Sequence, residues 1–350
     1  MKLWSRISLL FIALMAAAAG SAYLWIPDSS TDANDICLPL AGLPPGSSVS
    51  FLRQKNAPTS EQNHTTSFAW LKGHAPQGAM IPLTTWNLAG DSIRVQLFEG
   101  LGVQGSRMAF ALRDLRLDKK GSPIHSRYFL LGSDRFGRDM FSRLILGGRI
   151  SLGIGFCAVL LSMLIGIFVG MFAAYYGGLA DRVLSWFMGV MWSIPSMLLA
   201  LAVSFALGKG FVPILVAIGL STWVDVARMV RGQVLSLRER EFVQAGKVLG
   251  YSAFRIMVYH ILPNLRQVLL VVASATFASA ILLEAGLSFL GLGIAPPIPS
   301  WGNMVREHYG YLVLGKAYLA LVPGLTIMAT VLAFQMLSNQ LRDYWDIRKL

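Results

Sequence analysis

The sequence predicts an all-α membrane protein of six transmembrane helices, with a larger insertion on the extracytoplasmic side between the first two. Three observations lead there. Hydrophobic residues make up 55% of the 350-residue chain and charged ones 14%, whereas a soluble domain carries about 25% charged residues. Six apolar runs approach the length of about 20 residues that crosses roughly 30 Å of hydrocarbon. The cations between those runs are also unevenly shared. A net charge of +12 is thus read first as positive-inside bias, and nucleic acid is not an expected partner.

The first run, ISLLFIALMAAAAGSAYLWI, follows Lys2 and Arg6 and stops before Pro27. Its Ala-Gly-Ser-Ala stretch has the small residues of a signal-peptidase site. Its length, and Tyr23 and Trp25 at its end, favour an uncleaved anchor closing in an interfacial aromatic belt. Five further runs cover 151–176, 183–207, 211–227, 267–290 and 317–338. With the N-terminus inside, segment 228–266 and the C-terminus face the cytoplasm. That segment carries Arg228, Arg231, Arg238, Arg240, Lys247, Arg255 and Arg266, against Lys209, Arg306 and Lys316 in the short outer connections. The bias agrees with this orientation. The cations of 27–149 do not weigh against it, because loops that long translocate regardless of charge. The expected layout is therefore 1–26 as cytoplasmic tip and first span, 27–149 as insertion, 150–341 as a five-span core and 342–350 as cytoplasmic tail.

Within the insertion, the alternation Ile93-Arg94-Val95-Gln96-Leu97 predicts strands in a small folded unit; a partly ordered tether is the other reading. No Ser/His/Asp order or metal-ligand spacing stands out, and His64, His74 and His125 are scattered singly. Cys37 lies in polar surroundings and Cys157 in an apolar run, so no bridge is expected between them. The insertion ends in LLGSDRFGRDMFSRLILGGRIS. Here Ser133 or Asp134 is a candidate helix cap. Phe136, Met140, Phe141, Leu144 and Ile145 form an apolar stripe at helical spacing, with Arg135, Arg138, Asp139 and Arg143 opposite. The pattern predicts a helix along the membrane surface, with the chain turning inward at Arg149.

Two look-alikes fail, one on chemistry and one on geometry. Gly310 to Lys316 nearly spells a phosphate loop, but Ala317 lacks the hydroxyl that would hold Mg²⁺. The stretch 238–264 has the outline of a helix-turn-helix, yet spans close in on both sides, leaving no room for a major groove. Glu284, closing an apolar run, is a candidate for the translocation path; an outer-end residue near the headgroups is the alternative.

The stretch REREFVQAGKVLGYSAFRIMVYHILPN predicts a short helix offering Glu241, Val243, Val248 and Leu249, with Gly246 allowing close approach. Gly250 permits a sharp turn, Ser252 caps a second helix with an apolar face of Phe254, Met257 and Val258, and Pro263 marks the next span. On periodicity alone, docking onto a protein and resting on lipid are equally served.

This segment resembles the EAA loop of bacterial ABC-importer permeases, matched by Gln244-Ala245-Gly246, then Gly250, then His260-Ile261-Leu262-Pro263. More narrowly, the chain is similar to the second permease subunit of dipeptide, oligopeptide and nickel importers. That family's G-T-D-x-x-G-R-D-x-x-S-R segment is matched by Gly132, Ser133, Asp134, Gly137, Arg138, Asp139, Ser142 and Arg143. Its E-A-G-L-S-F-L-G-L-G and P-S-W-G segments are matched by Glu284–Gly293 and Pro299–Gly302, and its tail by LRDYWDIR. The likeness runs over about 130–350. Gln244 stands where the family has the EAA glutamate, with Glu241 one turn upstream, and Ser338-Asn339 stands for a frequent Gly-Asp.

The resemblance implies a type I ABC-importer permease in the bacterial inner membrane. Its implied partners are a second homologous permease subunit, two ATP-binding cassette subunits and an extracytoplasmic solute-binding protein. ATP and Mg²⁺ would sit on those partner subunits, with no cofactor, metal or catalysis in this chain. Leu249, Gly250, Tyr251, Ser252 and Arg255 would form the helix turn that couples to an ATPase, and the Gly132–Arg143 motif would be structural. The competing class, an ATP-independent carrier or channel, would show paired inverted repeats with broken helices.

Overall fold

In the computed structural model, residues 3–55, 73, 80–116 and 122–345 are described. His64, His74 and the end of the C-terminal LRDYWDIR motif lie outside them. The chain opens with helix α1, Leu3–Gly20, and closes with α9, Tyr318–Trp345. Between them lie a five-stranded sheet and then a helical assembly.

The insertion does contain strands: β1 Ser47–Arg53, β2 Met80–Ala89, β3 Ser92–Leu97, β4 Arg107–Ala111 and β5 Ile124–Phe129. They form one antiparallel sheet in the order β4-β3-β2-β1-β5, so the helical protein carries a folded sheet in its insertion, the first of the two readings of that region. Alternation works as expected on β3, where Ile93 and Val95 are buried. They join Leu52, Leu83 and Leu115 in one apolar cluster; Leu40, Leu43, Val49, Phe51 and Phe129 make a second. The sheet is tied to the helices through its connecting loop. Lys316 Nζ donates to Gly42 O at 3.0 Å and Tyr318 Oη to Leu43 O at 2.8 Å. Lys316 of the phosphate-loop look-alike is thus a tether. His125 sits on β5 opposite Phe51, and Cys37 and Cys157 are both free thiols.

Helix α2 runs unbroken from Met140 to Tyr176. No separate surface helix precedes it and the chain does not turn at Arg149, so the expected boundary at 149/150 falls inside a helix. The reason is local. Asp134 accepts from the N–H groups of Phe136 and Arg138 at 2.8 and 3.0 Å, which closes a turn rather than starting a helix. Asp139 caps α2 by accepting from Ser142 N at 2.8 Å, as an N-cap carboxylate does.

After α2 come α3 Gly178–Ser193, α4 Ser196–Leu207 and α5 Phe211–Leu237. Then follow the short α6 Glu241–Val248, the long α7 Ala253–Phe289 and α8 Trp301–His308. Among the described residues, four helices (α2, α5, α7 and α9) are long and apolar enough to span a membrane. The pair α3 and α4 adds a fifth if counted as one span bent by 89°, and α1 is a shorter apolar helix. The described helices therefore give four full-length spans, or five with the bent pair, against the six expected. Ile194-Pro195 divides the run 183–207 because proline offers no N–H to continue a helix.

Small residues let the spans approach, as is common where lipid supplies no hydrophobic drive. Gly166 and Gly170 of α2 face Val226 and Ala227 of α5. On the other side, Phe277 of α7 stacks on Phe334 of α9 at 4.1 Å between centroids.

Candidate functional site: a protruding helix turn and the ion networks above it

Two of the positively charged spans extend beyond the apolar runs that mark them. α5 continues to Leu237 and α7 begins at Ala253, so the expected 39-residue connection 228–266 shrinks to the elbow 238–252. Helix α6 occupies its centre. It ends in a Schellman motif: Tyr251 N–H reaches Gly246 O and Gly250 N–H reaches Lys247 O, both at 3.0 Å. Such an ending needs a left-handed residue after the cap, and Gly250 has φ +75°. Ser252 then caps α7, its Oγ accepting from Arg255 N at 3.3 Å.

The elbow has an inward and an outward side. Val243, Gly246, Ile256, Ile261 and Leu265 are buried, and Met171, Val230 and Val234 of the spans join the four apolar ones in a cluster. A Cβ at Gly246 would meet the side chains of Tyr251, His260 and Ile256 at 3.5–3.6 Å, so the close approach here is of side chains and not of another backbone. Facing out, Val248 is 87% exposed, Leu249 68% and Phe254 69%. Exposed Glu241, Gln244, Ala245 and Lys247 surround them. Gln244 is tied back, its Nε2 donating to Arg238 O at 2.9 Å. The Arg255 guanidinium lies over the Tyr251 ring at 4.1 Å, which stiffens the turn.

Pro263 does not mark the start of a span but sits inside α7. Just before it, residues Ile256–Ile261 form a π turn, and Leu262 N–H reaches Met257 O. A wide turn here lets the helix pass a residue that has no N–H to give.

The motif 132–143 forms a buried ion network at the head of α2. Arg138 Nε meets Asp134 Oδ2 at 2.6 Å and its NH2 meets Glu307 Oε2 at 2.9 Å. Arg143 approaches the same two carboxylates at 3.8 and 3.9 Å. The expected polar stripe of Arg138, Asp139 and Arg143 is thus buried rather than exposed. Gly132 and Gly137 hold left-handed turns that bring the segment against Leu43 and Cys37 backbone. Burial pushes the Asp139 carboxyl above its usual range, while its bonds from Ser142 draw it back. His308 lies beside the network, and with Asp134 and Glu307 its ligand-type atoms fall within 4.8 Å of one another. The two arginines already balance the two carboxylates, so a divalent cation there would lack compensating charge. His308 Nδ1 bonds to Met304 O at 2.8 Å, which makes Nδ1 the donor and leaves Nε2 as a bare lone pair.

Glu284 is fully buried. It accepts from Ser151 Oγ at 2.9 Å and Ser288 Oγ at 2.7 Å, while Trp301 N–H donates to the same Ser151. The carboxylate stitches α2, α7 and α8 together. In this conformation the carboxylate is closed off from the surface of the chain. Sequence reasoning passes over Asp225, an acid inside the run 211–227; a charge within a span, the signal that singles out Glu284, applies to it equally.

Residues 166–345 match the family of binding-protein-dependent transport system inner membrane components. The chain is 39% identical over 231 residues to a glutathione transport system permease protein of Pectobacterium atrosepticum, covering 66% of this chain and 75% of that one. It is 40% identical over 215 residues to a dipeptide transport system permease protein of Alkalihalophilus pseudofirmus, covering 61% and 70%. Among solved structures, the MetNI methionine ABC transporter in an inward facing conformation is 19% identical, covering 58% of this chain and 97% of that one, with a TM-score of 0.48.

Proposed function

The chain belongs to the family of binding-protein-dependent transport system inner membrane components, and from that premise we propose that it is a permease subunit importing short peptides, coupled through α6 to an ATPase subunit. Relatives described as dipeptide and oligopeptide transport permeases support the substrate class. The observation that carries the coupling is the elbow itself. A rigid, capped turn buries one side among the spans and presents Val248, Leu249 and Phe254 on the other. Exposed apolar side chains rimmed by charge are what a protein partner covers.

In this reading a second permease subunit completes the path, and a solute-binding protein delivers substrate from outside. Two ATPase subunits bind ATP and Mg²⁺ on the cytoplasmic side, where both termini of this chain lie. The ATPases move the elbow only if they contact it differently in their two states, since equal contact shifts nothing. Because α6 joins α5 to α7, its displacement rocks both spans. Gln244, bonded within its own elbow, leaves Glu241 as the acid free to meet a basic partner.

The test is transport and capture together. Gly250→Pro, or Ala245→Asp, is expected to abolish peptide uptake while membrane insertion remains normal. A cysteine at Leu249, with Cys37 and Cys157 replaced, should cross-link to an ATPase. Undiminished uptake by both variants, or cross-linking to lipid alone, would remove the docking claim.

A further inference from the structure

Helix α5 carries two opposite charges halfway along its length. From Phe211, Asp225 lies about 21 Å along the axis, and Leu237 lies about 18 Å beyond it, at 1.5 Å per residue. Arg228 follows one turn later, and Asp225, Arg228, Gly232 and Ser236 make one exposed stripe. Asp225 falls within the apolar run 211–227, where an ionisable group faces a partner or a water-filled cavity rather than lipid, and Arg228 sits one turn beyond it.

The arrangement of the pair is unusual. An aspartate and an arginine three residues apart on a helix are placed to neutralise each other, yet no ion pair joins them among the described residues. Trp192 stands between. Its Nε1 donates to Asp225 Oδ1 at 3.0 Å, and the Arg228 guanidinium lies over its ring at 4.3 Å. Trp192 is 59% exposed and is the penultimate residue of α3, just before the chain bends by 89° into α4. The indole thus holds a carboxylate and a guanidinium apart. It leaves Asp225 Oδ2 and the guanidinium N–H groups with no protein partner among the described residues, beside a flat aromatic surface.

We propose that Asp225, Arg228 and Trp192 form a recognition site, at the end of the apolar run of α5 that leads to the elbow, for the two charged ends of a short peptide. Asp225 takes the ammonium group, Arg228 takes the terminal carboxylate as a planar fork suits, and Trp192 supports the intervening amide. This assignment rests on the peptide-permease reading above. It places an unneutralised zwitterion site where a zwitterionic solute has left water and needs both charges compensated.

The test uses the complete membrane complex in nanodiscs without ATP or binding protein, probed by saturation-transfer NMR with dialanine, dialaninamide and N-acetyl-dialanine. Arg228→Gln is expected to weaken dialanine about tenfold, the effect of losing one charged pair worth about 1.4 kcal/mol, and to leave dialaninamide unchanged. Asp225→Asn should weaken dialanine and dialaninamide and leave the acetylated peptide unchanged. Arg228→Lys and Asp225→Glu should restore most of the binding. If both variants weaken all three ligands equally, or none, the pair belongs to subunit packing and the assignment is overturned. Peptide uptake by the wild type in proteoliposomes separates the two failures. With uptake present, only this site is lost; with none, the peptide reading falls and takes the site with it.

Discussion

Adding one methyl group at Gly166 tests the packing that positions α5. A Cβ there would stand 2.6 Å from Val226 Cβ and 2.9 Å from Trp223 O. Carbon atoms in contact prefer about 3.5–4.0 Å, so α2 and α5 must part by about 1 Å. Overpacking of this kind costs about 1–3 kcal/mol. Alanine also gains about 1 kcal/mol of helix propensity over glycine, which would mask part of the loss. Gly153 on the same helix supplies the control, since a Cβ there meets nothing within 4 Å. Both alanine variants share the propensity gain, so the difference between them isolates the clash at about 1–3 kcal/mol. The assay is the unfolding midpoint of the purified protein in mixed micelles titrated with SDS. Gly166→Ala is expected to be the less stable by that margin, with transport reduced as well, because Trp223 and Val226 flank Asp225. Equal stability of the two variants would show that α2 and α5 do not meet as described.

Three other outcomes are expected. Arg138→Ala leaves buried Asp134 and half-buried Glu307 without their closest cation and should cost about 3–5 kcal/mol, read as lost folded yield; a lysine there restores only part, having no fork to span both carboxylates. Glu284→Leu strands the hydroxyls of Ser151 and Ser288, at about 1–3 kcal/mol for each polar group left unsatisfied, whereas Glu284→Gln retains an acceptor and should melt close to wild type. Burial holds the His308 imidazole below the ordinary histidine range. The unfolded chain therefore takes up this proton first, and stability should fall as pH drops below about 6.5; His308→Gln should flatten that slope in pH-dependent melts.

Four of the six expected spans, the elbow and its capping were legible in the residues because each depends on neighbours close in the chain. Hydropathy marks a helix run, Gly250 signals a left-handed cap, and Ser252 signals the start that follows. The strand on 93–97 was legible for the same reason. The Gly132–Arg143 segment was misjudged because helical spacing alone says nothing of what lies opposite. Asp134 closes a turn there, and Arg138 points at Glu307, 169 residues away, so a stripe with the look of a surface is buried.

What the sequence determined by itself was the membrane class, the cation-rich elbow and the family motifs, all properties of composition and short-range order. The tertiary structure alone decided which charges are paired and which are left open. Glu284 is enclosed by a hydroxyl from α2 and one from the next turn of its own helix, and Asp225 and Arg228 are kept apart by a tryptophan from another helix. Whether a charge in a membrane is structural or available to a solute depends on the groups that surround it, and those come from distant parts of the chain.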